Sequence, residues 1–151
     1  MNNGIPERIF VAVPTATAPW WRKVRDRLGW PIHASWLDGI VKRHGHLEVD
    51  DPGDVFGEVA AATAVVVERD RSGRAVLLAG YAAGLGIPLI GLGRERLPWV
   101  DDGRVLRRQA PLAEALRLAA PAAWAQATKS DVHGLTDVEI AMRQRRPANA
   151  A

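Results

Sequence analysis

Apolar residues in this chain fall in short unbroken blocks separated by stretches with helical spacing, and that alternation predicts its elements. Arg8 to Val13 (RIFVAV) is apolar after its first residue, the pattern of a strand buried on both faces of a parallel sheet. Pro14-Thr-Ala-Thr-Ala-Pro19 reads as a loop. Trp20 to Leu28 reads as a helix, with Trp20, Trp21, Val24 and Leu28 at spacings near one turn and Gly29 as its left-handed stop. Ile32 to Leu37 predicts a second short strand, and a polar stretch follows to Pro52. Asp54 to Ala62 predicts a helix with acidic residues near its positive end.

Ala64 to Val67 is the clearest strand, because Val65, Val66 and Val67 are all β-branched. Gly73 lies in the turn after it, Arg74 to Leu85 reads as a helix of small and apolar residues, and Gly86 ends that helix. Ile87 to Leu92 predicts a fourth strand, whose start Pro88 delays. Val105-Leu106 predicts a short fifth strand, and Pro111 to Ala120 a helix stopped by Pro121.

Strands alternating with crossover-length helices predict an α/β fold: a doubly wound, mainly parallel, flavodoxin-like or Rossmann-like sheet of four to five strands with helices on both faces. Residues 1–121 are assigned to this domain. Residues 122–151 are more polar and read as a linker and C-terminal helix or tail, with Thr136-Asp-Val-Glu139 as a capping box starting a helix that runs to about Arg143.

Composition narrows the function classes. The chain has 151 residues, 48% of them hydrophobic, and no cysteine, so disulfides and thiolate metal sites are excluded. The apolar run after Arg8 stops at Pro14, too short for a signal core or a membrane span, so cytoplasmic residence without a membrane partner is expected. The net charge is +3, with 17 arginines and three lysines. The one dense basic cluster, Arg143, Arg145 and Arg146, reads as a solvated tail, so nucleic-acid binding is not expected.

Between Ala64 and Leu92, Gly80-Tyr81-Ala82, Leu85-Gly86 and Pro88 stand in an order that resembles the central segment of the nucleoside 2-deoxyribosyltransferase superfamily, which includes nucleotide N-glycosidases. Ile9-Phe10-Val11-Ala12 with Pro14 is similar to the opening strand and loop of that family, and Ser35-Trp36-Leu37-Asp38 to its second-strand ending. The resemblance covers roughly residues 8–106. It implies a nucleoside or nucleotide ligand, no cofactor, and a homo-oligomer.

In an open parallel sheet the ligand sits beyond the carboxyl ends of the strands. The binding residues implied are Pro14, Thr15, Trp36, Asp38, Asp54, Ser72, Gly73 and Arg74, with the free N–H groups of the helix starting near Arg74 suited to a phosphate. One departure dominates. The family's reaction depends on a helix glutamate just before Gly-Tyr-Ala, as nucleophile or as stabiliser of an oxocarbenium-like sugar. Leu78 occupies that place here, or Leu77 with a one-residue shift. A hydrocarbon does neither job. Glu68 and Asp70, at the end of the third strand, are the carboxylates that stand nearest to replacing it, although Glu68-Arg69-Asp70-Arg71 also reads as an exposed charged turn.

Other signals are weaker. His44-x-His46 with Asp50 and Asp51 is loose spacing in a loop, so no metal is expected. His33 reads as a hydrogen-bonded core residue. Gly84-x-Gly86 and Gly91-x-Gly93 lack the strand–loop–helix setting of a dinucleotide fingerprint. Trp20, Trp21, Trp99 and Trp124 are candidate interface anchors. Three readings remain open: a nucleotide binder with the standard chemistry absent or rearranged, an N-glycosidase or deoxyribosyltransferase using Glu68 or Asp70, and a non-catalytic interaction scaffold.

Overall fold

The computed structural model describes residues 6–93 and 105–150. The chain runs β1 (Ile9–Ala12), α1 (Ala18–Asp26), β2 (Ile40–Arg43), β3 (His46–Val49), α2 (Val55–Ala61), β4 (Ala64–Val67), α3 (Arg74–Gly84), β5 (Leu89–Leu92), β6 (Val105–Ala110), α4 (Leu112–Ala119), α5 (Pro121–Gln126) and α6 (Lys129–Ala150), with 3-10 turns at Thr15–Thr17 and Ser35–Asp38. Four strands form one parallel sheet in the order β1-β4-β5-β6. Every residue of β1 and β4 is buried, which requires cover on both faces. Helices α2 and α3 pack together, and α1, α4 and α6 form a second packed group. The fold is the doubly wound α/β sheet that the sequence pattern predicts.

The second predicted strand does not form as read. Ile32 makes a single parallel bridge to Ile9, on the side of β1 away from β4. Ala34 is still extended, but Ser35–Asp38 turns into a 3-10 helix. The physical reason is a side chain acting in place of a strand. The Trp36 indole Nε1 donates to the Val11 carbonyl at 2.9 Å, taking the edge acceptor that further pairing would need. With Ile32 counted as a rudimentary outer strand, the order is of the flavodoxin type, and its switch point lies between β1 and β4.

The stretch expected to be a polar connection contains a hairpin instead. In β2 and β3, Ile40 lies opposite Val49 and Arg43 opposite His46. His44 and Gly45 both take positive φ (52° and 78°), as a tight two-residue turn demands. The amides of Asp50 and Asp51 close its base by donating to the Gly39 carbonyl at 2.8 and 3.2 Å, and β3 rests against the Thr15–Thr17 turn beyond the end of β1.

The predicted linker is also largely helical. Pro121 opens α5 rather than only ending α4, and α6 begins at Lys129, well before Thr136. Thr128 and Asp131 form a reciprocal cap, the Thr128 amide donating to the Asp131 carboxylate at 2.8 Å and the Asp131 amide to Thr128 Oγ1 at 3.1 Å. Thr136 sits inside the helix and donates to the Val132 carbonyl. Leu135 and Val138 of α6 are buried. Glu139 accepts from the Leu112 amide at 2.6 Å, and Glu7 accepts from the Ala122 and Ala123 amides, so this segment is tied to the sheet domain at its start and again at Glu139.

His33 is exposed, contrary to its reading as a core histidine; its amide donates to the Ile9 carbonyl, and among the described residues its ring makes no hydrogen bond. Trp21 is fully buried and Trp20 partly so; Trp99 and the side chains of Arg145 and Arg146 lie outside the described residues.

A Cβ at Gly39 would collide with the main-chain carbonyl of Asp51. Gly39→Ala is therefore expected to open the hairpin base and to lower stability by about 1–3 kcal/mol, the usual cost of forcing an extra carbon into a packed site. Urea unfolding measures this, and an unchanged midpoint would contradict the closure described.

Candidate functional site

Connections leave β1 and β4 in opposite directions, and the space between those departures is where this fold class receives ligands. The turn that leads into α3 is built by its own side chains. Asp70 accepts from Ser72 Oγ at 2.8 Å and from the Ala75 amide at 3.3 Å, and Ser72 Oγ accepts from the Arg74 amide at 3.2 Å. Gly73 precedes the helix at φ 79°, a conformation that disfavours any residue with a Cβ. Asp70 is thus occupied with shaping the turn.

Arg74, the first residue of α3, reaches Trp36. Its guanidinium carbon is 4.3 Å from the centre of the Trp36 ring, a cation–π contact. The ring is itself fully buried and held by its bond to Val11. Among the described residues, Arg74 Nη2 is buried without a hydrogen-bond partner. Burial pushes the guanidinium pKa down, opposed by the charge of Asp70; arginine nevertheless stays cationic. A desolvated cation with an unused donor raises the energy of the folded chain, and such groups concentrate where a ligand supplies the missing acceptor.

Glu68 follows β4 and is 8% exposed, the one buried charged residue among those described. Its amide donates to the Ala12 carbonyl at 2.9 Å, which fixes it at the carboxyl ends of the two central strands. Gly93, after β5, comes so close that a Cβ there would stand 3.4 Å from Glu68 Oε2. The Glu68 carboxylate therefore belongs to the covered interior and is not part of an open charged turn, whereas Arg69 is exposed.

The remaining implied residues do different things. Asp38 is exposed and held bidentately by Arg25 at 2.7 and 2.9 Å; Arg25 also binds Asp26, and these two carboxylates, Asp26 first, raise its pKa. Asp54 caps α2, accepting from the Gly57 amide. Pro14 and Thr15 lie in the turn after β1, where the Pro14 carbonyl accepts from Thr17. Leu78 is buried, at 2% exposure, and Leu77 points outward at 62%. The structure thus brings together Trp36, Asp70, Ser72, Gly73 and Arg74, while Asp38 and Asp54 hold up neighbouring elements.

Sequence reading missed the hairpin against the Thr15–Thr17 turn, and the tie between Ser35 and Glu58. Glu58 accepts from the Ser35 amide at 2.9 Å and from Ser35 Oγ at 2.7 Å, anchoring the Trp36 turn to α2. A signal for the hairpin was present in the apolar positions Leu47 and Val49 and the glycine of the His44-Gly45 turn.

Trp36→Phe keeps a ring under Arg74 but leaves the Val11 carbonyl without its donor. A loss of about 1–3 kcal/mol is expected for that orphaned buried acceptor, read from urea unfolding. Equal unfolding midpoints for the two proteins would show that the edge does not depend on this bond.

The chain matches no protein-family model, no curated protein and no solved structure.

Proposed function

We propose that this protein binds a nucleoside or nucleotide, or a metabolite derived from one, in the crevice beyond β1 and β4, as a deoxyribosyltransferase-like domain whose standard N-glycosidic chemistry is absent or rearranged. The observation that carries this reading is Arg74, a half-buried cation over Trp36 with an unmatched N–H donor at the start of α3. An anionic oxygen answers that donor, and the first turn of a helix suits it further. The sequence resemblance supplies the nucleoside part. Buried leucines do not attack or stabilise an anomeric carbon, so Leu78 supports binding without the usual cleavage.

Thermal unfolding with a panel of nucleosides and their 5′-monophosphates tests this. A ligand at 100 times its Kd is expected to add about 2.7 kcal/mol. Arg74→Met, which keeps an unbranched chain against the ring, is expected to abolish the response while leaving the unliganded protein within about 1 kcal/mol of the parent, because one buried donor is removed along with one contact. Absence of any shift across the panel would sink the reading.

A second reading is favoured by the burial of Glu68 at the carboxyl ends of β1 and β4. Its carboxylate would serve as nucleophile or as stabiliser of the sugar cation, the role that Leu78 lacks; Asp70, engaged by Ser72 and Ala75, is the weaker alternative. Chromatography of the same mixtures separates the two: the first reading expects no free base, and the second expects base release that Glu68→Gln abolishes.

The homo-oligomer expected from the resemblance has support in the surface. Phe56, Leu77, Tyr81 and Leu85 are four of the five exposed large apolar side chains among the described residues, and all lie on or beside α2 and α3. Phe56 and Tyr81 meet edge-on at 5.0 Å, and α3 carries no charged residue from Ala75 to Gly84. An uncharged face of this kind suits association with a second copy. Leu77→Arg, at an exposed site, is expected to shift the protein from dimer to monomer in light scattering while keeping its native circular-dichroism spectrum; a parent that is already monomeric would refute the dimer.

A further inference from the structure

A groove of about 420 Å³ lies between α5 and the first turns of α6. It sits at the opposite end of the sheet from Arg74. Glu7, just before β1, caps α5, and the wall residue Trp124 packs on Trp30, which leads into the Ile32 bridge. We propose that this groove is a second ligand site, taking a small planar aromatic molecule that carries a carboxylate.

The walls are set by packing. Trp30 is 4% exposed and meets the Trp124 ring at 6.2 Å between centroids, fixing the indole that forms one side. Helix α6 is pressed to the body at Gly134, where a Cβ would stand 2.7 Å from Leu28 Cδ2, and by buried Leu135. That contact turns Lys129, Val132 and His133 towards α5, where they line the groove with Ala127. An indole and two short apolar side chains offer a flat surface for a ring. The volume is in the range of small-molecule sites, roughly 300–1,000 Å³.

The charge at the rim selects an acid. Lys129 and His133 lie one helical turn apart and, among the described residues, neither side chain has a hydrogen bond or an ion pair. The neighbouring Asp131 forms no ion pair with either among the described residues; its carboxylate stays anionic and turns back to accept from the Thr128 amide, the bond that chiefly holds its pKa low. Asp137, a turn beyond His133, makes no ion pair among the described residues. Thr128 Oγ1 accepts from Asp131, which leaves its hydroxyl proton for a ligand oxygen. A carboxylate is the group that uses an ammonium, an imidazole N–H and a hydroxyl on one rim.

Naphthalene-2-carboxylate and the neutral naphthalene-2-carboxamide, titrated into the full chain and followed in ¹H–¹⁵N spectra, test the proposal. Saturable shifts are expected at the Trp124 indole N–H and at amides of residues 128–136, with the amide probe about fivefold weaker or more, as loss of one partly exposed ion pair implies. Trp124→Ala is expected to remove binding; because that ring also packs on Trp30, the exposed Lys129→Glu decides the matter, weakening the acid about fivefold and leaving the amide unchanged. No saturable shift, equal affinities for the two probes, or shifts confined to the Arg74 crevice or the α2–α3 face would overturn it.

Discussion

The Trp36 indole donates to the carbonyl of Val11, on the edge of the first strand. That bond decides where the sheet stops, because it occupies the acceptor a longer second strand would use. It also decides what lies beside the crevice. The chain turns away at Ser35–Asp38, the hairpin β2–β3 follows, and the Trp36 ring is left as a rigid surface under Arg74. Glu58 holds the same turn from α2 through Ser35. A side chain that ends a sheet thereby also positions Arg74, the cation on which the proposed ligand recognition rests.

The acidic groups beside the carboxyl ends of β1 and β4 do not come from α3. Helix α3 contributes hydrocarbon at Leu78, which packs in the core with Ala75, Ala79, Ala82 and Ala83. Negative charge comes instead from strand β4 through Glu68, which is covered by the approach of Gly93, and from Asp70, which is consumed in forming the turn. A carboxylate bonded by neighbouring amides and hydroxyls shapes a loop; one that attacks carbon needs an oxygen directed at the substrate. This division is why Arg74, rather than an acid, is the group on which the functional reading is built.

The two ends of the sheet are prepared for different chemistry. At the carboxyl end, the unsatisfied donor belongs to a guanidinium lying on an aromatic ring. At the amino end, the side chains of Lys129 and His133 stand at the rim of an indole-walled groove that exists because α6 is clamped against Leu28. On α3, Leu77 and Tyr81 are exposed, and no charged residue stands between Ala75 and Gly84. Arginine-rich composition thus resolves into particular cations with particular neighbours, many of them, such as Arg25 and Arg117, spent on local acids.

The central strands were legible because four consecutive apolar residues in β1 and in β4 have no stable place except between two layers. The helices α1 to α4 were legible from their spacing and punctuation: Asp54, Gly73 and Pro111 mark starts, and Gly29 and Gly86 mark ends, although α1 begins at Ala18, inside the stretch read as a loop. The position of the crevice follows from strand order, so Trp36 and Arg74 were both named from the residues, but not their contact. What sequence could not decide was competition. Ile32 to Leu37 has strand character, yet an indole took the edge bond first. Thr128-x-x-Asp131 and Thr136-x-x-Glu139 are both capping patterns, and Leu135 and Val138 reached the core only when the earlier one started the helix. Local pattern specifies what a segment can form. Which acceptor is already taken, and which face finds a neighbour, is settled only when distant parts of the chain meet.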